Sequence, residues 1–369
     1  MRIAYVALHL EKKYLLSGVG RKIQTQLHIW NELNHKARLF LLSPDIVDFP
    51  DTELFQFGSP SKIPIFKKIL KEYDRSKKLL QLIEQVKIFH PDLIYLRYGL
   101  FTIPLQKLFD IAPVILEINS NDIQEYKSRG WLYYIINCFS HHLIFSNVRG
   151  IIPISYEIGQ LDSISRYKVP VHPIPNGIDL RQIFELPAPN NIKPILAFVG
   201  AAGLSWHGVE KLIPFAQQYP DLQIEVVGYN ADEMNFKIPS NIHFWGFIPH
   251  QKINQVLSKV DVVIGTLALY RKHMNEDSTL KIREALAFGI PVVIGHRDAD
   301  ISGKQFSFVL EIPNTEDNVE KYATEIRNFA YHMMGKRVDR NLIAPLIDQS
   351  LKEKKRLEFF AQIIGKRDQ

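Results

Sequence analysis

Two glutamates, Glu276 and Glu284, are separated by seven residues and flank the predicted start of a helix. Ser278 or Thr279 can cap this helix, because short side-chain oxygens accept hydrogen bonds from the first free N–H groups. Gly289 ends the helix, and an apolar run typical of a buried strand follows it. The pattern predicts a loop, a helix and a strand, with one carboxylate just before the helix and another inside it.

The N-terminus of this helix is a predicted anion site. The unpaired backbone N–H groups of Thr279, Leu280 and Lys281 would face a ligand there, and the helix dipole favours negative charge. Two basic residues, Arg271 and Lys272, precede the first glutamate, and this position favours a phosphate-binding role over the alternative of a solvated charged loop. A ligand that carries both phosphate and hydroxyl groups would match this mixture, and a nucleotide sugar is such a ligand.

Residues 276–294 resemble the E-x7-E signature of retaining glycosyltransferases, and the chain looks most like glycosyltransferase family 4. The resemblance depends on Leu-Lys before the second glutamate and on Ala-Phe-Gly-Ile-Pro-Val-Val after it. It covers nearly the whole chain and is strongest over about residues 193–300. It implies an α/β protein of the GT-B fold, in which two Rossmann-like domains with parallel sheets face each other across a cleft.

The resemblance also implies an activity. Glu276 would hold sugar hydroxyls near the anomeric carbon, Glu284 would hold the ribose, and the leaving phosphate would accept the acceptor's proton. The implied reaction is retaining transfer of a hexose from a UDP- or GDP-linked sugar to a glycan or polyprenyl-linked acceptor, in bacterial surface polysaccharide assembly. Such enzymes need no divalent metal, and neither Cys nor His falls in a metal-ligand pattern. We therefore expect no cofactor, only the donor substrate.

A glycine-rich loop after the first strand of the second half is a further donor-binding candidate. Such a loop can cradle a diphosphate with its N–H groups. Relatives often carry an arginine after the first glycine, Gly200, and a lysine before the later one, whereas this chain has Ala201 and His207. Lys281 or the basic pair before Glu276 could supply the missing charge. His207 is either a ligand-binding residue or a solvated loop histidine.

Two other segments resemble family elements. Residues 241–248 are expected to reach the nucleotide base through the backbone near Gly246 and Phe247, and a plain strand end is the alternative. Residues 175–179, Pro-Asn-Gly-Ile-Asp, predict a tight turn at the entry to the second domain.

Acceptor-side residues are expected in the first domain. Gly18, Gly20 and Arg21 follow the first strand and open a helix, where glycines allow a ligand to approach the backbone. Many relatives have a histidine at about the position of Asn119, which is our second catalytic candidate. Asp122 and Glu125 could orient hydroxyls, or could serve only as helix caps.

Length and alternation predict the domain organisation. A chain of 369 residues is expected to form two domains, and alternating strands and helices favour parallel sheets. A proline-rich segment predicts domains at 1–185 and 186–350. Residues 351–369 form a predicted helix that, by the resemblance, crosses back to the first domain.

Charge and cysteine usage suggest the compartment. One cysteine and no secretory leader favour a cytoplasmic protein, and no apolar run is long enough to span a bilayer. Residues 62–78 carry seven basic and two acidic side chains, a balance of +5. This stretch suits peripheral binding to the anionic inner face of the cell membrane, or is a solvated helix face. The apolar run 131–136 is interpreted as core packing, with an aromatic membrane anchor as the alternative.

Other functions stay open. A non-catalytic nucleotide-sugar binder or partner subunit is suggested by Ala201, His207 and Asn119, and a sugar-nucleotide epimerase of similar fold needs no acceptor. A dinucleotide oxidoreductase is disfavoured, since no complete G-x-G-x-x-G follows a strand with the acidic residue placed for ribose. We expect no nucleic-acid partner, because the basic residues are not interleaved with stacking aromatics.

Overall fold

The computed structural model describes residues 1–8, 10–12, 18–58 and 64–365, without the side chains of 64–68. These residues form two compact units. The first contains residues up to Ile174 together with the segment that begins at Gln349, and the second is Pro175–Asp348. Each unit has a parallel sheet of six strands with flanking helices. Within the described residues, no helix is both long and apolar enough to cross a membrane.

The first unit has a single doubly wound sheet. Its strands are β1 (Arg2–Leu8), β2 (Lys36–Ser43), β3 (Thr52–Gln56), β4 (Leu93–Arg97), β5 (Val114–Ile118) and β6 (Gly150–Pro153). Its helices are α1 (Gly18–Glu32), α2 (Pro64–Phe89), α3 (Asp122–Ser128), α4 (Trp131–Phe145), α5 (Tyr156–Gln160) and α6 (Asp162–Ser165). The strand order is β3-β2-β1-β4-β5-β6. The central strands are apolar on both faces, as expected where helices cover a parallel sheet on each side.

The second unit repeats this topology. Its strands are β7 (Ile195–Val199), β8 (Gln223–Val227), β9 (Ile242–Phe244), β10 (Val262–Ile264), β11 (Glu276–Asp277), β12 (Val292–Ile294), β13 (Arg297–Asp298) and β14 (Val309–Glu311). Its helices are α7 (Leu212–Gln218), α8 (His250–Leu257), α9 (Leu280–Ala287), α10 (Asn318–Lys321), α11 (Ala323–Met333) and α12 (Ala344–Ile347). The six-stranded sheet has the order β14-β12-β10-β7-β8-β9, and β11 pairs with β13 alone.

The division between the units lies before the predicted boundary at 186. Residues after Pro175 already belong to the second unit because they bond to it through the backbone. The Ile178 N–H donates to the Ile347 carbonyl at 2.8 Å, and the Leu186 N–H donates to the Phe288 carbonyl at 3.0 Å. The proline-rich composition at 186–191 marks a surface loop of that unit.

The C-terminal helix, α13 (Gln349–Gly365), packs into the core of the first unit. Its Glu353 is fully buried. The Glu353 carboxylate accepts hydrogen bonds from the indole N–H of Trp30 at 2.7 Å and from the guanidinium of Arg356 at 2.9 Å. Phe360 makes an edge contact with the Trp30 ring. Removing this helix would therefore leave buried polar groups of α1 without partners.

We predict that Glu353→Ala destabilises the first unit by about 3–5 kcal/mol, because breaking a buried ion pair leaves Arg356 uncompensated. Denaturant unfolding followed by tryptophan fluorescence, to which Trp30 contributes, measures this loss. Glu358→Ala, on the exposed face of the same helix, is the control and should change stability little. Equal stability of the two variants would contradict the role assigned to Glu353.

Candidate functional site

The carboxyl ends of the strands in the second unit form the candidate donor site. β7 lies between β8 and β10, and the chain leaves the sheet toward opposite sides after β7 and after β10. Ligands of open α/β sheets bind in the crevice at such a switch point. The loop after β7 carries Gly200, Ala201 and His207, and α9 begins at the same edge after the loop that follows β10.

Close backbone contacts hold the loop after β7 in place. A Cβ at Gly228 would lie 1.8 Å from the Gly200 carbonyl oxygen, and Gly228 has a φ of +89°. The N–H of Leu267 donates to the His207 carbonyl at 3.0 Å, and the N–H of Ala268 donates to the Trp206 carbonyl at 3.2 Å. The loops after β7, β8 and β10 therefore form one connected frame.

His207 is buried and neutral. Its Nδ1 lies 2.7 Å from the Tyr229 hydroxyl. Burial, and then the nearby ammonium groups of Lys281 and Lys272, lower the pKa of His207 to about 2. It therefore does not replace the cation that relatives often carry at this position, and Ala201 is exposed and uncharged. Any contact of these two residues with a donor remains a prediction.

Lys281 is the unpaired cation of this edge. Its Nζ is buried and has no hydrogen-bond partner among the described residues. The Nζ atom lies 4.1 Å from the centroid of the Phe198 ring at the end of β7. Burial lowers the pKa of Lys281 to about 7, and the Asp277 carboxylate opposes this shift only in part. A bound anion would supply the missing partner and restore the charge.

The entry to α9 is tied to the first residues of the second unit. Thr279 is the N-cap residue and makes no side-chain capping bond, and its Oγ1 is buried without a partner among the described residues. The hydroxyl of Ser278 accepts a hydrogen bond from the Asn176 N–H at 2.7 Å, and the Asn176 side chain donates to the Ser278 carbonyl at 2.6 Å. Ser278 thus has a structural contact, whereas Thr279 and the N–H of Leu280 lie at the open end of the helix.

Arg283 is an important residue that the sequence patterns do not single out. It is fully buried in α9 and its guanidinium donates to the Asn176 carbonyl at 3.1 Å and to Asp300 at 2.8 Å, besides an ion pair with Asp298. It fixes α9 against the segment that opens the unit. The sequence feature that could have indicated this role is an arginine on the apolar face of a predicted helix, followed by two aspartates after the next strand.

The basic pair before Glu276 is largely engaged inside the protein. Arg271 donates to Glu210 at 2.7 Å and to Glu316 at 3.0 Å, and these carboxylates outweigh burial and raise its pKa. The Nζ of Lys272 lies 4.3 Å from the centroid of the Trp206 ring. Lys281 is therefore the better candidate for the missing diphosphate cation.

The two glutamates occupy different environments. Glu276 lies half-buried in β11, whose partner position is Arg297 in β13. Glu284 is 13% exposed, and its Oε1 lies 2.9 Å from Nε2 of His250 at the start of α8. His250 was not among the residues predicted from sequence. It follows the predicted base-binding segment directly, and this position was the only signal for it.

The predicted base-binding segment has one rigid residue and one exposed ring. Gly246 has a φ of +61°; its N–H donates to the Tyr229 carbonyl at 2.9 Å, and its carbonyl accepts from Gly228 at 2.8 Å. The ring of Phe247 is 94% exposed. The backbone is thus fixed by its neighbours while an aromatic face is free to stack.

The acceptor-side candidates follow the carboxyl ends of β1 and β5. Lys22 donates to Asn119 Oδ1 at 2.9 Å and pairs with Glu117 at 2.6 Å. Burial lowers the pKa of Lys22 to about 8, and Glu117 opposes the shift. Arg97 donates to the same carboxylate at 2.9 Å. Asn119 is thus positioned by a buried charged cluster.

The other acceptor-side candidates differ in accessibility. Asp122 is buried; it accepts from the Asn137 side chain at 2.9 Å, and burial raises its pKa to about 6. Glu125 accepts from Ser120 and Arg129, both at 2.6 Å. Gly18 and Gly20 are in the first turn of α1, and Arg21 beside them is exposed. Ser17, which precedes Gly18 in the predicted glycine-rich loop after β1, lies outside the described residues.

Comparison with known proteins gives the family of the second unit. Residues 193–329 match the model of the family described as glycosyl transferases group 1. The chain therefore carries a glycosyltransferase domain of this family. None of the curated proteins matches the sequence significantly.

Solved structures resemble the whole chain. Sucrose-phosphate synthase from Thermosynechococcus elongatus is 15% identical with a TM-score of 0.68, and 99% of each chain is covered. The lipopolysaccharide outer core galactosyltransferase WaaB is 14% identical, with a TM-score of 0.65 and 100% of both chains covered. HepE of Anabaena, solved in complex with UDP, is 13% identical with a TM-score of 0.63, covering 98% of this chain and 100% of its own. These likenesses establish the GT-B fold.

We predict that Lys281→Met weakens binding of a nucleoside diphosphate about tenfold or more and leaves nucleoside binding nearly unchanged, because a charge-assisted hydrogen bond contributes about 1.5–3 kcal/mol. Calorimetry at pH 8, in two buffers of different ionisation enthalpy, should show proton uptake on diphosphate binding to the wild type only. Lys259→Met, an exposed lysine before β10 at the opposite edge, is the control. Unchanged diphosphate affinity in Lys281→Met would show that Arg271 or Lys272 is the cation that contacts the diphosphate.

The same pKa predicts a stability signature. The pKa of Lys281 is lower in the folded chain than in the unfolded chain, so its burial costs stability fully below about pH 7, and the cost falls as pH rises toward the ordinary lysine pKa of about 10.4. We therefore expect Lys281→Met to raise the free energy of unfolding at pH 6, and to raise it much less at pH 10. A variant that is less stable at pH 6 would show that the ammonium has a partner in the free protein.

Proposed function

We propose that the protein, whose residues 193–329 form a glycosyl transferases group 1 domain, is a retaining glycosyltransferase. It transfers a hexose from a nucleoside diphosphate sugar to a hydroxyl of a glycan or polyprenyl-linked glycan in bacterial surface polysaccharide assembly. The second unit binds the donor and the first unit binds the acceptor. The observation that carries the proposal is the buried Nζ of Lys281, which has no hydrogen-bond partner among the described residues and lies at the N-terminus of α9, five residues after Glu276.

The diphosphate of the donor is the group that this edge suits best. Negative charge develops on the leaving diphosphate during transfer, and preorganised N–H groups and cations aimed at it contribute most to catalysis. The N–H groups of Thr279 and Leu280 and the ammonium of Lys281 supply both. Because Lys281 lacks another partner, binding the diphosphate removes an electrostatic cost that the free protein carries.

The nucleoside is held by the neighbouring loops in this proposal. Glu284 accepts the ribose hydroxyls, with His250 fixing one of its oxygens, and the base stacks on the exposed Phe247 ring beside Gly246. The donor is UDP- or GDP-linked, and the solved complex of HepE with UDP supports the first of these.

Transfer proceeds on one face of the sugar. The anomeric carbon loses its bond to the diphosphate oxygen and gains a bond to the acceptor oxygen, and the acceptor's proton passes to the leaving phosphate. Glu276 holds the sugar hydroxyls beside the anomeric carbon. Asn119, fixed by Lys22, orients the reacting hydroxyl, with Asp122, Glu125 and the Gly18–Arg21 turn on the acceptor side.

A non-catalytic nucleotide-sugar binder is the second candidate. It is favoured by the uncharged Ala201 and the neutral His207, which remove two cations that relatives often carry. A thermal-shift screen of nucleoside diphosphates and nucleotide sugars finds the donor for either function, because a ligand raises apparent stability by mass action. Slow hydrolysis of that donor without acceptor then separates them, since a binder shows none. An epimerase would instead convert the donor sugar without releasing the nucleotide.

We predict that Glu276→Gln lowers turnover at least a hundredfold and leaves both the fold and diphosphate affinity intact, because it removes a carboxylate that acts on the sugar alone. Release of nucleoside diphosphate in the presence of acceptor measures turnover. Glu325→Gln, an exposed glutamate on α11, should turn over like the wild type. Normal turnover by a folded Glu276→Gln protein would remove Glu276 from the mechanism.

We also propose that transfer requires no divalent metal, because Lys281 and the α9 N–H groups take the charge of the leaving group. Turnover should therefore stay within about twofold after extensive treatment with EDTA, and adding Mg²⁺ or Mn²⁺ should not increase it. Loss of activity in EDTA that is restored by one of these ions would contradict this expectation.

A further inference from the structure

The polarity of helix α4 is the reverse of what a water-facing helix requires. Between Trp131 and Phe145 the sequence contains no Asp, Glu, Lys or Arg. The polar residues Asn137, Ser140 and His141 are nevertheless buried against the unit. Asn137 donates to Asp122 at 2.9 Å and accepts from the Tyr98 hydroxyl at 2.7 Å, and the Ser140 hydroxyl accepts from the Phe101 N–H at 2.9 Å.

The outer face of α4 is apolar and exposed. Trp131 is 73% exposed and Phe139 is 69% exposed. At 3.6 residues per turn these two side chains share one face with most of the other exposed apolar residues. The exposed apolar residues of α4 are Trp131, Leu132, Tyr133, Ile135, Ile136, Phe139 and Leu143. The sequence-based interpretation of 131–136 as core packing is therefore wrong, because none of these residues is buried, and the buried positions of α4 are the polar network together with Ile144 and Phe145. We call this surface the α4 face.

Basic residues flank both ends of the α4 face. Lys127 and Arg129 are exposed directly before the helix, with Arg129 paired to Glu125 at 2.6 Å, and Arg149 is exposed shortly after it. Arg166 is exposed and lies over the ring of Tyr167, which contacts the last turn of α4. An apolar face with tryptophan and tyrosine at one end and cations at its margins is typical of a helix that lies in a membrane interface.

We propose that the α4 face docks the protein on an anionic lipid bilayer, with the helix lying in the plane of the headgroups. A helix of this length extends roughly 22 Å and has only one apolar side, so it lies on a membrane and does not cross it. Partial burial of the apolar side chains drives binding, and the flanking cations select anionic lipid. The inference deepens the proposed function, on which it rests for its purpose: docking would bring the first unit to an acceptor carried by lipid.

The basic stretch 62–78 is a weaker docking element. Lys62 and the side chains of Lys67 and Lys68 lie outside the described residues. In the part that is described, Arg75 is only 15% exposed and pairs with Glu72 at 2.7 Å, and Lys71 lies 5.5 Å from the centroid of the Phe57 ring. These internal contacts reduce the charge that this helix presents, so we assign the anchoring to α4.

Vesicle binding tests the proposal without donor or acceptor. The full chain is co-sedimented with vesicles of phosphatidylcholine alone, and of phosphatidylcholine mixed with phosphatidylglycerol, at low and high salt. We expect binding that rises with phosphatidylglycerol, falls with salt, and drops at least tenfold in Trp131→Ser/Phe139→Ser. Lys127→Glu/Arg149→Glu should weaken vesicle binding by about fivefold or more for each basic residue that is replaced. Phe184→Ser/Phe236→Ser, which changes two exposed aromatic residues of the second unit, is the matched control.

The only cysteine provides a direct readout. Cys138 is exposed on α4, so an environment-sensitive dye attached there should shift to the blue with anionic vesicles. Absence of wild-type binding to any vesicle, or equal binding by Trp131→Ser/Phe139→Ser, would overturn the proposal. The proposal would also be overturned if Lys67→Glu/Lys68→Glu/Lys71→Glu abolished vesicle binding while the α4 variants retained it.

A second copy of the chain is the competing occupant. A concentration-dependent dimer in analytical ultracentrifugation that Trp131→Ser/Phe139→Ser converts to a monomer, without vesicle binding, would assign the α4 face to self-association and overturn the proposal. Donor hydrolysis separates this question from the proposed function. The α4 variants should hydrolyse donor like the wild type, whereas failure of the proposed function would abolish hydrolysis in every variant.

Discussion

The buried ammonium of Lys281, which has no hydrogen-bond partner among the described residues, is the constraint on which the candidate donor site depends. Lys281 lies over the Phe198 ring with its Nζ away from water, and an isolated buried charge is strongly unfavourable unless it loses its proton or gains a counter-ion. The lowered pKa of Lys281 corresponds to the first of these responses, the loss of the proton. An anion at the start of α9 is the second, and in the proposed function binding of the donor diphosphate removes this cost.

The unfavourable burial of the Lys281 ammonium persists only if the loops around it cannot rearrange. The loops after β7, β8 and β10 hold each other through backbone bonds and through Gly228, where a Cβ would collide with the Gly200 carbonyl oxygen. Arg283 ties α9 to the segment that begins the second unit. If the loops could open, Lys281 would turn toward water, and the helix N-terminus would lose its preorganised cation.

The sequence predicted the central strands of both sheets well, because apolar runs in parallel sheets are continuous and bounded by turns. Apolar runs of the sequence predict strands at residues 2–8 and 114–118, and β1 and β5 lie at those residues. The edge strands β3 and β14 were missed, since Thr52–Gln56 and Val309–Glu311 are short and only partly buried. The glutamate pair was singled out by its spacing together with the residues around the second glutamate. The ion pairs of Arg283 and the contact between Glu284 and His250 join residues that only the fold brings together.

Helix α4 shows why patterning alone identifies an amphipathic helix but not the side that faces inward. An apolar run normally indicates the core, because burial of apolar surface is the dominant favourable term in folding. Here Asp122 and Tyr98 need partners beneath the helix, and Asn137 supplies them at 2.9 and 2.7 Å. An unsatisfied buried carboxylate costs more than one exposed aromatic ring, so the polar side turns inward and the apolar side is left outside. The surface that results is stable in water only as part of a large protein, and it becomes favourable where an apolar phase covers it.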